Sequence, residues 1–428
     1  MATCGVFLCY AVVSAVFAGG RDKVWAIWAA CGYAAALLIL WRSRSRTAAL
    51  LVCVAVAVVA PLLWLSVAYS LEAGMQVIDR SATLLLHHGS PYLSSQQVTS
   101  WLSYNPYLPV MTVFGLPSAL GLGGLAGNPG VWLAVGTVVP LAAAFWVAVP
   151  HRGCPPCRCD ALLATALAVA SPVIGLNLAV ITTDPPVLAL MLLSLALAAR
   201  PLSAAARPPS VPPLVSVSGA AARSRRFVMQ TVASGAVSSG AVMGVACDMK
   251  STAWLAVPVI GAMFASRDGA RAAVRFIAAA VATAVVLIAV LAPAALIKPA
   301  AMIQNSVLFP LGLTHDKTPA GSLLPGHLLT ALGTAGHVVS VGLLLAAGLG
   351  IAISLVIRPP RDVPAACWRL AIGLTLMFLL GPDVRFGYFI YPLGLLGWVA
   401  LTTTSPRTPE TTRTPGPDGL VQDVVEDR

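Results

Sequence analysis

Apolar runs recur along this chain from one end to the other with almost no charge inside them, and nothing else constrains its fold as much. Charged residues make up 10% of the 428, against about 25% in an average soluble domain. Within a hydrocarbon core every backbone polar group must be satisfied internally, which leaves helices or a closed barrel. Continuous apolar stretches without period-2 alternation read as helices. The runs lie near 4–19, 24–41, 47–71, 130–150, 161–180, 186–199, 228–246, 252–265, 274–297, 327–357, 366–381 and 387–402. Several are shorter than the ~20 residues a straight crossing needs. The run at 327–357 exceeds one crossing and is expected to tilt or to lie partly in the interface. The expected fold class is all-α, a polytopic membrane domain over 1–402 with about twelve transmembrane helices.

The charges orient this body. Net charge is +11, and Lys and Arg are retained on the cytoplasmic side of a membrane. Arg42, Arg44 and Arg46 share one loop; Arg200, Arg207, Arg223, Arg225 and Arg226 share another. Arg267, Arg271 and Arg275 form a third, Arg358 and Arg361 a fourth. With all four inside, 72–129, 181–185, 247–251, 298–326 and 381–386 face outward and both termini lie in the cytoplasm. Nucleic-acid binding, the other use of a basic chain, lacks a basic domain with interleaved aromatics. Met1–Gly19 has no basic residue ahead of its apolar core, so it is expected to be a first membrane helix rather than a signal peptide. The segment 107–124 is apolar, but a crossing there breaks the parity of all that follows. With Pro109, Pro117 and a run of glycines, it suits a re-entrant or interfacial helix. Residues 200–226 read as a Pro/Ser/Ala cytoplasmic linker, and 403–428 as a disordered tail, Thr/Pro-rich and then acidic.

Between the third and fourth apolar runs lies the one long polar segment, 72–107, carrying Glu72, Asp79, Arg80, His87, His88 and the tyrosines 92, 104 and 107. Outside the tail, six acids fall on the outward face: Glu72, Asp79, Asp184, Asp248, Asp316 and Asp383. Arg80, Lys250, Lys298, Lys317 and Arg385 join them. Any one charge at a helix end is adequately explained by solvation or snorkelling. Several, however, are joined directly to apolar helices, as in ITTDPP, CDMKSTAW and GPDVRFGYF, and charges held so close to membrane segments tend to line a cavity. Asp184, Lys250, Asp383 and Arg385 are expected to share one. Metal sites are not expected. His87 and His88 are adjacent on a helix and diverge by about 100°. Cys154, Cys157 and Cys159 beside His151 are crowded into one loop rather than spread over a four-ligand frame.

The segment has a recognisable order: Arg80-Ser81-Ala82, Leu84-Leu85-Leu86, Gly89-Ser90-Pro91-Tyr92, then Tyr104-Asn105-Pro106 before an apolar run. It resembles the family-87 (DUF2029-type) membrane glycosyltransferases of the GT-C class. In that pattern an acid ends the preceding helix and a Tyr-Pro-Pro motif opens the next apolar segment; Asn105 departs from it. Lys250-Ser251-Thr252-Ala253-Trp254 and Arg385-Phe386-Gly387-Tyr388-Phe389 with Pro392 look like later steps of the same pattern. Aligned on Arg80 and Gly89–Tyr92, the family's aspartate position falls on Gly74, with Glu72 two residues before it and Asp79 five after.

The resemblance implies a GT-C-like fold and a hexosyl or mannosyl transferase of the cell membrane. Its donor would be a polyprenyl-phosphate sugar, its acceptor a lipid or glycan on the outer face, with room for a divalent cation but no cofactor of certain identity. Glu72 or Asp79 would be the base, Glu72 being preferred. If 72–79 is helical, the two acids lie two turns apart on one side. Arg80, Tyr92, Tyr104, Asn105, Asp184, Lys250, Asp383, Arg385 and Tyr388 are the candidates for donor phosphate and substrate, since Lys and Arg both bind phosphate. Two other readings use the same residues. One is a transporter or flippase for a lipid-linked or anionic solute; the other is an inactive relative, favoured by the glycine at 74.

Overall fold

A computed structural model describes residues 1–148, 156–199, 235–316, 322–382 and 384–403, with the main chain alone for 156–159. The cysteine loop near 154, the 200–226 linker, Asp383 and the tail from 404 lie outside the described residues. Those residues are helices and loops, with no strand among them. In chain order the principal helices are α1 (Ala2–Phe17), α2 (Gly20–Arg42), α3 (Arg46–Ala68), α4 (Ala73–His88), α5 (Pro109–Ala119), α6 (Pro129–Ala148), α7 (Pro156–Ala170) and α8 (Pro172–Ala179). They continue with α9 (Asp184–Ala198), α10 (Gly235–Cys247), α11 (Ala256–Asp268), α12 (Ala270–Leu291), α13 (Thr334–Ile357), α14 (Val363–Leu380) and α15 (Phe386–Thr403).

Seven of these, α2, α3, α6, α12, α13, α14 and α15, are long and apolar enough to cross a bilayer, and the bent pair α7–α8 adds an eighth if it is one span. The chain is a multi-pass helical membrane protein. Among the described residues each of the twelve apolar runs coincides with a helix or a bent pair, but α1, α9, α11 and the described part of α10 are shorter than a full crossing. The run at 327–357 is two helices. Pro325–Thr330 is separated from α13 by Gly333, whose φ of 82° only a glycine adopts without strain. Helix α5 spans about 16 Å at 1.5 Å per residue, too little to cross about 30 Å of hydrocarbon. It packs instead on α4, where a side chain at Gly115 would stand 2.7 Å from the Ile78 carbonyl.

Local chemistry sets the breaks. Pro172 has no N–H for the Ala168 carbonyl, and the Ser171 hydroxyl donates to that oxygen at 2.6 Å. The chain bends by 65° there, and Tyr33 from α2 donates to the Ala170 carbonyl at 2.7 Å. A π turn at Ala55–Val59 inside α3 puts its carbonyls out of the i+4 pattern, and Trp25 Nε1 donates to Ala57 at 2.9 Å. Between α10 and α12 the backbones meet closely. Gly240 and Gly244 lie against the carbonyls of Phe276 and Ala280, with no room for a side chain at either.

The loops sort into two groups by the contacts they make. On one side Arg21 donates to Ser70, Asn128 to Ser66 at 3.3 Å, Asn105 N–H to Asn305 at 2.8 Å and Lys250 to Asp184 at 2.5 Å. On the other, Arg267 reaches Ala198 at 2.9 Å, Ser266 reaches Pro360 at 2.5 Å and Arg369 reaches Ser354 at 2.5 Å. The first group holds the polar segment and the ends of α9, α10 and α15, which together build the site.

Candidate active site

Helix α4 is amphipathic, with Met75, Ile78, Ala82 and Leu85 buried along one stripe. Its N-cap is Glu72, which is extended (φ −62°, ψ 154°) and accepts the Gly74 N–H on Oε2 at 2.6 Å. Gly89, at φ 64°, closes the other end through its N–H to Leu85. Because Glu72 lies outside the helix, it and Asp79 are not stacked two turns apart, and the capping bond fixes Glu72 Oε2 over the helix start. Oε1 makes no hydrogen bond among the described residues.

The turn after α10 holds Asp248, Met249 and Lys250. Two main-chain bonds fasten it to the start of α5, Val110 N–H to Asp248 O and Leu108 N–H to Met249 O, both 3.1 Å. Tyr107 is thereby brought beside Lys250. The Lys250 ammonium donates to Asp184 Oδ1 at 2.5 Å, and Tyr391 Oη donates to the same oxygen at 2.8 Å. Lys250 also stands 4.7 Å from the centre of the Tyr388 ring. The pair is nearly enclosed, with side chains 12% and 7% exposed. Burial works against the lysine's charge, but Asp184 and the tyrosines Tyr388 and Tyr107 outweigh it and hold the ammonium above its ordinary value. Burial likewise pushes the Tyr107 phenol up to about 12.

Gly74 marks where these groups converge. A methyl placed on it would stand 2.9 Å from Tyr107 Oη, 3.0 Å from Glu72 Oε2 and 3.6 Å from Thr183 Cγ2. Tyr107 in turn feels the charges of both Lys250 and Glu72. Glu72, Tyr107, Asp184, Lys250, Tyr388 and Tyr391, drawn from five parts of the chain, therefore form one cluster. The glutamate carboxylate fills the space that a side chain at 74 would occupy.

Other candidates sit apart from this cluster or have structural work. Arg80 donates to the Leu102 and Ser103 carbonyls at 2.7 and 2.9 Å, holding the loop, and burial lowers its pKa. Asp79 does not pair with it; one Asp79 oxygen is buried without a partner. Tyr92 donates to the Tyr107 carbonyl at 3.0 Å. Asn105 is buried, giving its amide to Pro91 at 3.3 Å and accepting the Tyr107 N–H at 3.0 Å. Tyr104 stacks on Phe309 with ring centres 4.3 Å apart. Arg385 is exposed, and Asp383 lies outside the described residues. The His87 and His88 rings are 6.5 Å apart and tilted by 58°.

Sequence reasoning missed Tyr391, which looks like an ordinary helix residue until packing brings it to Asp184, and Thr183, which packing brings beside Gly74. It also gave Asp248 no role, though the side chain is 1% exposed and neither carboxylate oxygen has a partner. Burial beside Tyr92 pushes that carboxyl up to about 8.

No protein-family model and no curated protein matches this sequence. Among solved structures, the chain is similar to ArnT from Cupriavidus metallidurans in the apo state, at 18% identity and a TM-score of 0.44. The match covers 84% of this chain and spans 60% of that one.

Proposed function

We propose that the protein is a membrane glycosyltransferase that moves a sugar from a polyprenyl-phosphate donor to a lipid or glycan acceptor at the outer face of the cell membrane. The observation that carries this reading is the convergence of Glu72 and the enclosed Lys250 on Tyr107. A carboxylate with a free oxygen and a fixed ammonium with unused N–H donors share one small site. In the reaction the bond from the sugar C1 to the donor phosphate oxygen breaks and a bond from C1 to the acceptor oxygen forms. The acceptor proton passes to Glu72 as general base. The departing polyprenyl phosphate keeps its electron pair, and Lys250 stabilises the developing charge. Asp184 and Tyr391 hold that lysine in place, so the ammonium is organised before the donor arrives. The family resemblance of 80–117 supplies the sugar class, a hexose such as mannose.

The test uses the full chain in proteoliposomes loaded with radiolabelled polyprenyl-phosphate hexoses and a membrane acceptor fraction. The proposal expects labelled acceptor and free polyprenyl phosphate in equal amounts. Donor carried across the bilayer without new glycoside, seen with a protected-leaflet assay, would instead identify a flippase.

A further inference from the structure

Tyr104 lines a recess of its own, a cavity of about 570 Å³ whose lining includes no residue of the Lys250 cluster. It lies within the range of about 300–1,000 Å³ usual for small-molecule sites. Its walls come from two segments far apart in sequence, the loop after α4 and the stretch 300–316 after α12. Ser95 donates to Gln304 Oε1 at 2.8 Å across the gap, and Asn305 donates to the Leu93 carbonyl at 3.1 Å beneath it. Gln304 opens a π turn, Gln304–Leu308, a local irregularity often found at functional sites. That turn presents Gln304 and Leu308 to the cavity together.

The lining chemistry selects a ligand class. Ser95, Gln304 and Thr314 offer neutral hydrogen-bonding groups, and Asp316 adds a carboxylate 3.5 Å from the exposed His315 ring. Among the described residues no Lys or Arg lines the cavity, and its ionisable groups are Asp316 and His315, so a phosphate would meet a carboxylate with no Lys or Arg among those groups. Amide, hydroxyl and carboxylate groups beside apolar Leu308, Leu313 and Val98 suit a neutral polyol, with hydroxyls at its edge and C–H groups on its faces. Tyr104 belongs to this cavity and Tyr107 to the Lys250 cluster. Three residues of chain put their Cα atoms within about 11 Å of each other.

We propose that this cavity binds an uncharged glycan terminus and presents it as the acceptor to the Glu72–Lys250 site. The acceptor role rests on the transferase reading; the binding of a neutral glycan does not. The experiment is saturation-transfer NMR on the full chain in nanodiscs, with methyl disaccharides of mannose, glucose and galactose as ligands. Hexanediol and inorganic phosphate are the competing probes. At least one disaccharide should receive saturation from wild type, and Gln304→Ala and the cavity-filling Ala300→Trp should each weaken it about tenfold. Ala300 is exposed, so the second change fills space without entering the core. Lys250→Ala should leave the disaccharide signal in place. The site is overturned if no disaccharide receives saturation, if both variants bind like wild type, or if hexanediol or phosphate competes as strongly as the sugars. Glycan binding by a chain that transfers no sugar would sink the transferase reading and leave the site standing.

Discussion

Gly74 is the residue on which the chemistry of this site turns. A side chain there would press on Tyr107 Oη and Glu72 Oε2, so position 74 and the Glu72 carboxylate compete for one volume. Moving the carboxylate should therefore preserve function. Glu72→Gly alone should lower transfer by about 10²–10⁴-fold, the usual loss of a general base, at a capping cost of only a few tenths of a kcal/mol. Adding Gly74→Asp should bring it back to within about tenfold. A double variant as inactive as the single would contradict the idea that a carboxylate at 74 can take the place of the one at 72. Asp248 gives a separate signature. Its folded pKa is pushed up to about 8 by burial, while an unfolded aspartate titrates near 3.9. Between these values the folded protein holds the extra proton, so stability falls as pH rises from about 4 through 8. Asp248→Asn removes this dependence. The gap in unfolding temperature between variant and wild type should widen from pH 5 to pH 8.5, and parallel curves would contradict it. At this scale the sequence was partly legible. Asp184 and Lys250 were marked by the apolar residues on either side of them. The cap at Glu72 and the Arg80 bonds to Leu102 and Ser103 were not, because they depend on main-chain groups that carry no residue identity.

Among the elements, α10 and α12 show how closely membrane helices must approach to aim a side chain. Gly240 and Gly244 admit the Phe276 and Ala280 carbonyls, and α10 ends in the turn that carries Lys250. Gly244→Leu should destabilise the protein by about 1–3 kcal/mol through overpacking, read as a lower unfolding temperature in detergent. Gly235→Leu, on the same helix but where an added Cβ would stand 3.7 Å from the Leu197 carbonyl oxygen, an ordinary contact, should be tolerated. Equal effects would mean that the close crossing is not what holds the turn. Helix existence was readable from hydropathy, since lipid demands long apolar runs. The breaks were less so. Gly333 lies inside an uninterrupted apolar run, and the Ser171–Pro172 bend is repaired by Tyr33 from another helix, a partner that no local pattern reveals.

For the molecule as a whole, the two groups of loops imply a sidedness that the bundle alone does not fix. With the basic loops inside, the proposed Glu72–Lys250 site and the proposed glycan cavity would both open outward. Cysteine labelling in intact cells should then reach position 95 from outside and position 215 only after permeabilisation; the reverse pattern would invert the topology. The most direct test of the account is the transfer rate of well-expressed Glu72→Gln and Lys250→Ala chains in proteoliposomes with a polyprenyl-phosphate hexose, with Asp79→Asn alongside. A base and a phosphate-stabilising ammonium predict losses of about 10²-fold or more for each of the first two, and less than about tenfold for the third. Transfer by Glu72→Gln and Lys250→Ala within tenfold of wild type would contradict the assignment of the reaction to this site.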